Sequence, residues 1–368
     1  MISVFGSKFT EEEAESVKQV LLSQWAGMGK KVAQFEQELA QKRHLPNMLL
    51  VDSGSNALYL AITLLNLPPN SEIILPSFTW VACAQAVLLA GHTPVFCDVD
   101  IQTQNVTAET ILPHITPKTK AIMVVHYAGK PVDMNPILAL GLPVIEDAAH
   151  AIHSNYHGKA CGTLGEIGVF SFDSIKNLAM GEGGGITTQN EAYLARAKRL
   201  RYCGIEKSGF QQSQTQQSQN KWWEYHISEA FIKMLPTDLE AAIALIQLEK
   251  MEKYQAIRKN IWDTYQNAFE NIEWIVRPQN AETHEQHSYF TYFIRTPFRD
   301  ELANYLLDKK IYTTLRYHPL HLNALYKSTK VLPNSEQLNQ QGLNLPLHPN
   351  LSETDVAYII DCITKFKK

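Results

Sequence analysis

The chain has 368 residues, 45% of them apolar and 19% charged, which suits a globular enzyme and is too apolar for a disordered chain. A net charge of −4 with no basic stripe argues against nucleic acid as a partner, and five cysteines without a Cys-x-x-Cys pair indicate neither a disulfide framework nor a metal site. No apolar run reaches about 18 residues and the N-terminus carries no apolar leader, so a soluble, cytoplasmic chain off the membrane is expected. Thr10 starts a helix over 10–23, with Glu13 at the capping-box position, and a second helix runs over 32–43. Short apolar runs at 48–51, 72–75, 93–99, 121–126, 142–145 and 168–172 then alternate with helical stretches such as 55–65 and 83–90. That rhythm predicts βαβ units and a mainly parallel sheet, with ligands beyond the carboxyl ends of its strands. A helix over 191–201 follows, and the Gln- and Ser-rich stretch 207–220 reads as a long mobile loop. A long helix begins at Asp238 and reaches Lys259 or beyond, linking a large domain to a smaller one with strands at 288–295 and 312–316 and helices at 299–307 and 352–366. The division expected is 1–245 and 246–368, and the N-terminal segment is free to join the smaller part.

Three stretches at strand ends carry chemistry. Ser53-Gly54-Ser55 lies where a strand gives way to a helix, so its free N–H groups form either a phosphate cradle or a plain helix cap. Asp147 ends the run before Ala148-Ala149-His150. There a buried carboxylate would either hold a protonated pyridine nitrogen or cap the next helix. Lys176 stands between an apolar strand and Gly181-Glu-Gly-Gly-Gly185. It is either a surface lysine in a turn or an amine whose pKa falls in a dry site and which forms a Schiff base with an aldehyde. Ser171 could add a hydroxyl to the phosphate, His150 a bond to a phenolic oxygen, and Trp80 an aromatic face for a pyridine ring. Cradle, acid and lysine fall in that order along one sheet, which favours pyridoxal phosphate (PLP) over the separate bland readings.

The ordered motifs Ser53-Gly-Ser-Asn-Ala-Leu58, Pro76-Ser-Phe-Thr-Trp80, His126-Tyr-Ala-Gly129, Glu146-Asp-Ala-Ala-His150, Lys176-Asn177 and Arg316-Tyr-His-Pro-Leu-His321 resemble the DegT-type nucleotide-sugar aminotransferases over nearly the whole chain. The resemblance implies PLP-dependent transferase fold type I: an α/β large domain with a mainly parallel seven-stranded sheet and a smaller α+β C-terminal domain. It implies Lys176 as the Schiff-base lysine, Asp147 on the ring nitrogen and His150 near the phenolic oxygen. Gly54, Ser55 and Ser171 would hold the phosphate, and Trp80 would stack on the ring. Gly27, Met28, Tyr317 and His321 would lie near the sugar nucleotide. It further implies a homodimer, glutamate as amino donor and a nucleotide-linked keto-deoxysugar as acceptor. Two positions depart from the pattern: Asp173 stands where members usually have His, and Leu235 where many have Asn or Arg. An apolar residue at the second position, with His126-Tyr-Ala-Gly129, leans toward the 4-keto-6-deoxyglucose aminotransferases. A nicotinamide enzyme lacks its Gly-x-Gly-x-x-Gly turn here, and a PLP sugar dehydratase would replace the lysine by histidine. A non-catalytic protein of the same fold is the remaining alternative.

Overall fold

Nine strands precede residue 190 in the computed structural model, which describes residues 1–206 and 223–367. They are β1 (Leu49–Val51), β2 (Glu72–Pro76), β3 (Thr93–Cys97), β4 (Thr119–Val125), β5 (Val144–Asp147), β6 (Asn155–Tyr156), β7 (Lys159–Ala160), β8 (Ile167–Ser171) and β9 (Gly184–Thr187). Seven of them form one sheet in the order β1-β9-β8-β5-β4-β2-β3. Neighbours from β8 to β3 are parallel, and only β9 runs against the rest. The mainly parallel seven-stranded sheet that the sequence predicts is therefore present. Its strands read as continuous apolar runs because helices cover both faces. The expected loop over 207–220 lies outside the described residues.

The helices associated with the sheet are α1 (Glu11–Leu22), α2 (Lys30–Arg43), α3 (Gly54–Leu64), α4 (Val81–Leu89), α5 (Ala108–Ile111), α6 (Met134–Leu138) and α7 (Glu191–Leu200). Thr10 opens α1 as predicted, its backbone N–H and Oγ1 both donating to Glu13 Oε2 at 2.8 and 2.7 Å. Thr237 caps α8 (Asp238–Ala268) in the same way with Glu240. This helix continues past Lys259, as expected, and joins two cores. Ala241, Ala244, Leu245, Leu248 and Met251 pack with α2 and the sheet side. Ile261, Trp262 and Tyr265 pack into a second core with the strands β11 (Tyr292–Arg295) and β12 (Gly342–Leu345). A short strand between them, β10 (Glu285–Gln286), pairs with β6. The N-terminal residues belong with this second core: Ile2 N–H donates to the Lys310 carbonyl at 2.7 Å and Tyr312 N–H to the Ile2 carbonyl at 2.9 Å.

Two expected strands come out differently. Residues 288–290 do not extend β11, because Ser288 and Phe290 N–H groups bond the Gly129 and Ala128 carbonyls at 3.1 and 2.9 Å. Residues 312–316 form no strand. Thr314 alone bridges to Asn344, and the segment then bends to wall the site.

Candidate active site

The carboxyl ends of β5 and β8, the start of α3 and the segment 312–317 surround one cavity of about 440 Å³. Gly54, Ser55, Trp80, Asp147, His150, Ser171, Lys176 and Tyr317 all border it, so these sequence-predicted residues converge. Close backbone approach makes this possible. A side chain on Gly54 would meet Ser171 Cβ at 2.8 Å, and one on Gly184 would meet the Ser53 carbonyl at 2.4 Å. Ser53 caps α3 by accepting from Asn56 N–H at 3.2 Å. The amides of Gly54 and Ser55 are at the helix start, where no intrahelical acceptor exists, and they present N–H groups and positive helix potential to the cavity.

Asp147 ends β5 almost fully buried. Its Oδ1 accepts Ala149 N–H at 3.0 Å, and its Oδ2 accepts the Cys83 thiol at 3.2 Å. Lys176 sits in the turn between β8 and β9. Ile175 N–H donates to Asp173 Oδ1 at 3.0 Å and Lys176 N–H to the Asp173 carbonyl at 2.9 Å. Asn177 Nδ2 ties the far side of the turn to the Ser288 carbonyl at 2.6 Å. Asp173, which departs from the family pattern, therefore caps the turn that carries the lysine. Burial and then the Arg316 guanidinium bring the Lys176 ammonium down to about 8, against the pull of Asp147 and Asp173. Its Nζ lies 5.0 Å from the centre of the Phe290 ring.

His150 stacks on Phe290 with centroids 4.0 Å apart, and its Nε2 pairs with Tyr317 Oη at 3.1 Å. Burial, with Lys176 and Arg316 adding to it, pushes His150 well below the usual histidine range, so the ring is neutral. Its Nδ1 is buried without a partner. Trp80 is 54% exposed on the rim and packs against Tyr317 at 5.5 Å.

These groups fit a phosphorylated pyridine aldehyde. The unpaired histidine nitrogen, the partly bonded carboxylate, the hydroxyl-and-amide cradle and the amine of lowered pKa match the four polar parts of PLP. Among the described residues no cluster of His, Cys, Asp and Glu is placed to hold a metal ion.

Three expected residues lie elsewhere in this chain. Gly27 and Met28 belong to a loop pinned to the start of α8. Asp238 N–H donates to the Gly27 carbonyl at 3.0 Å, Asp238 Oδ1 accepts Gly29 N–H at 2.9 Å, and Trp25 Nε1 donates to the Met28 carbonyl at 3.1 Å. His321 is buried away from the cavity between Ser77 Oγ at 2.6 Å and Glu336 at 3.3 Å, where it braces the segment after β2. Conversely, Arg316, Phe290, Phe5 and Cys83 shape the site without having been singled out. Arg316 stood inside a quoted motif. The other three carry no local signal, because the fold alone brings them to the sheet edge.

The fold and the sequence have known counterparts. The curated dTDP-4-dehydro-2,3,6-trideoxy-D-glucose 4-aminotransferase of Saccharopolyspora spinosa is 34% identical, over 98% of this chain and 95% of that protein. The crystal structure of the aminotransferase TlmJ from Streptoalloteichus hindustanus superposes with a TM-score of 0.92 at 34% identity, covering 99% of this chain and 98% of that one. Spr1654 from Streptococcus pneumoniae, solved in its PMP form, gives a TM-score of 0.91 at 26% identity, covering 97% of each chain. Residues 7–364 match the model of the DegT/DnrJ/EryC1/StrS aminotransferase family, to which this chain belongs.

Proposed function

We propose that the protein is a cytoplasmic, homodimeric PLP-dependent aminotransferase that takes an amino group from glutamate and delivers it to a nucleotide-linked 4-keto-6-deoxyhexose. The observation that carries this reading is the convergence of Lys176, Asp147 and the α3 cradle on one cavity. The family supports the reaction class, and the substrate named for the Saccharopolyspora relative supports a deoxyhexose as acceptor.

Bound PLP supplies an electron sink that lowers the cost of removing a proton from the amino-bearing carbon. The chain's own groups do the rest. Lys176 would hold the aldehyde carbon of the cofactor through its Nζ. The same Nζ would be the base that takes up and returns the proton at the donor's α-carbon. A pKa near 8 leaves about a tenth to a fifth of that amine neutral near physiological pH, far more than an ordinary lysine. Asp147, fixed by Ala149 N–H and the Cys83 thiol, would keep the ring nitrogen protonated. Ser55, Ser171 and the first amides of α3 would hold the phosphate, and neutral His150 would bond the phenolic oxygen. Trp80 borders the cavity, where it would offer a face to the ring, and Tyr317 Oη bonds His150.

Incubating the holoenzyme with glutamate and a panel of nucleotide-linked keto-deoxysugars, read by mass spectrometry, tests the proposal. An amino sugar and 2-oxoglutarate in equal amounts are expected. A protein that stays colourless with added PLP and forms neither product rules it out.

A further inference from the structure

Tyr127, in the His126-Tyr-Ala-Gly129 motif, takes no part in the proposed chemistry, yet its hydroxyl reaches a wall of the cavity. The ring is buried after β4, with Phe78 at 5.3 Å and Phe293 at 5.9 Å. Burial, reinforced by Tyr317, pushes the phenol well above its usual range, so it stays protonated and donates to the Arg316 carbonyl. From β12 a second side chain grips the same residue. Asn344 Oδ1 accepts Arg316 N–H at 2.8 Å, and Asn344 Nδ2 donates to Thr291 Oγ1 at 3.0 Å, which fixes the way the amide points. Both backbone polar groups of Arg316 are thus held by buried side chains in place of a strand partner.

The next residue is Tyr317, whose Oη lies 3.1 Å from His150 Nε2. The His150 ring is neutral, and its Nδ1 is buried without a partner. A neutral imidazole carries one proton. With Tyr317 donating to Nε2, that proton sits on Nδ1, the nitrogen then free to donate to a phenolic oxygen. Among the described residues no other group bonds either ring nitrogen, so without Tyr317 the tautomer is unset. We infer that Tyr127 and Asn344 are positioning residues that clamp the backbone of Arg316, keep Tyr317 donating to His150, and so present an N–H to the cofactor's phenolic oxygen. This rests on the PLP-dependent reading and adds what sets its histidine. Two contacts favour a placed tyrosine over a carbonyl that is merely satisfied. The Tyr127 ring meets His150 edge-on at 6.2 Å, so clamp and histidine pack as one group. Trp80, at 5.5 Å on Tyr317, is half exposed and restrains it less than the two buried bonds do.

The test uses the full chain with and without PLP, as wild type, Tyr127→Phe, Asn344→Ser, Tyr317→Phe and the Tyr127→Phe/Tyr317→Phe double variant. Without PLP, nitrogen-15 NMR of histidine-labelled protein is read, with His150→Gln to identify the signal. Wild type should carry the His150 proton on Nδ1, and Tyr317→Phe a mixture of tautomers, with Tyr127→Phe between them. With PLP, the pH midpoint of the cofactor's visible absorbance band is read. A donor to the phenolic oxygen draws off its charge and weakens its hold on the proton it shares with the neighbouring nitrogen, so losing the donor raises the midpoint. Tyr317→Phe should raise it by about half a unit to one unit, and Tyr127→Phe by part of that. The double variant should move no further than Tyr317→Phe, because both changes act through one hydroxyl. The kcat should fall in step, by roughly twofold to tenfold.

A wild type with the His150 proton on Nε2 overturns the inference. So does a Tyr127→Phe whose melting temperature drops while tautomer, midpoint and kcat stay put, since the hydroxyl would then only satisfy a carbonyl. Additive shifts in the double variant overturn it too, because Tyr127 would act apart from Tyr317. If Tyr127→Phe does not fold, Asn344→Ser, which frees the same residue from its other side, decides by the same readings. If wild type holds PLP but transfers no amine, the functional reading fails. Tautomer and midpoint need no turnover and still judge the clamp.

Discussion

Glu146 and Asp147 are consecutive acids at the end of β5, and strand geometry sends them to opposite faces. Glu146 is wholly buried and saturated. It accepts N–H groups from Gly162, Leu164 and Gly165 at 2.8, 2.6 and 2.6 Å, and pairs with His126 Nε2 at 2.9 Å. The other His126 nitrogen accepts Val132 N–H at 3.0 Å, so that imidazole is committed on both sides. Asp147 has one amide, one thiol and an open side toward the cavity. The contrast separates structure from chemistry. A buried polar group whose bonds are all made inside the chain holds the fold, and one left short is available to a ligand.

Substitutions should divide along the same line. On the cavity side the largest effect is expected from Lys176→Ala, which removes the amine that binds the aldehyde and moves the proton. Amine transfer should fall by about a thousandfold or more while the melting temperature hardly moves. Native-rate turnover in that variant would overturn the site assignment. Asp147→Asn should still take up PLP but lose on the order of a hundredfold in kcat, because an amide cannot hold the ring nitrogen protonated. Glu146→Gln should do the reverse. An amide placed against N–H donors loses about 2–3 kcal/mol of stability, seen as a lower denaturation midpoint, with near-normal activity per folded molecule. Equal losses of kcat in Asp147→Asn and Glu146→Gln would erase the distinction.

The cavity side was the more legible in sequence. Asp147, Lys176 and Ser53-Gly54-Ser55 each follow an apolar run, and strand ends are where a parallel sheet exposes its ligand. The sheet itself was legible for the same reason, since buried parallel strands leave unbroken apolar runs. What escaped depends on distant residues meeting. His321 shares a motif with Arg316 and Tyr317, yet a turn of the chain buries it against Ser77 and Glu336. Residues 312–316 have strand-like composition, but only Thr314 bridges to β12, and Arg316 N–H goes to the Asn344 side chain at 2.8 Å in place of a ladder carbonyl. Asp173 looked anomalous as a family departure and is ordinary as a turn cap.

A pH measurement sharpens the comparison on the cavity side. Burial and Arg316 lower Lys176 to about 8 while Asp147, Asp173 and Cys83 oppose them. A lowered pKa means that the neutral, reactive amine is already half-populated near pH 8 instead of near the ordinary lysine value. The rate at which cofactor-free protein captures PLP should therefore climb through a midpoint near pH 8. Arg316→Gln removes a repelling cation and should shift that midpoint upward. A midpoint near that of a free lysine in the wild type would show that the turn leaves Lys176 solvated.

The smallest effect should come from Cys83, the link between Asp147 and the helix behind it. Cys83 is fully buried on α4, with Thr79 Oγ1 at 3.3 Å on one side and Asp147 Oδ2 at 3.2 Å on the other. Burial, reinforced by the Asp147 charge, pushes the thiol well above its usual range, so it stays protonated and can only donate to the carboxylate. A thiol is a weak donor, so its bond to the carboxylate is worth about 0.5–1.5 kcal/mol, and Cys83→Ala should lower kcat by roughly twofold to tenfold with KM for glutamate unchanged. Cys83→Ser restores a donor and should recover most of the loss, which a pure packing role would not allow. Full kcat in Cys83→Ala would mean that Ala149 N–H alone fixes Asp147. The cavity-side acid would then be even less committed to the fold than its neighbour Glu146.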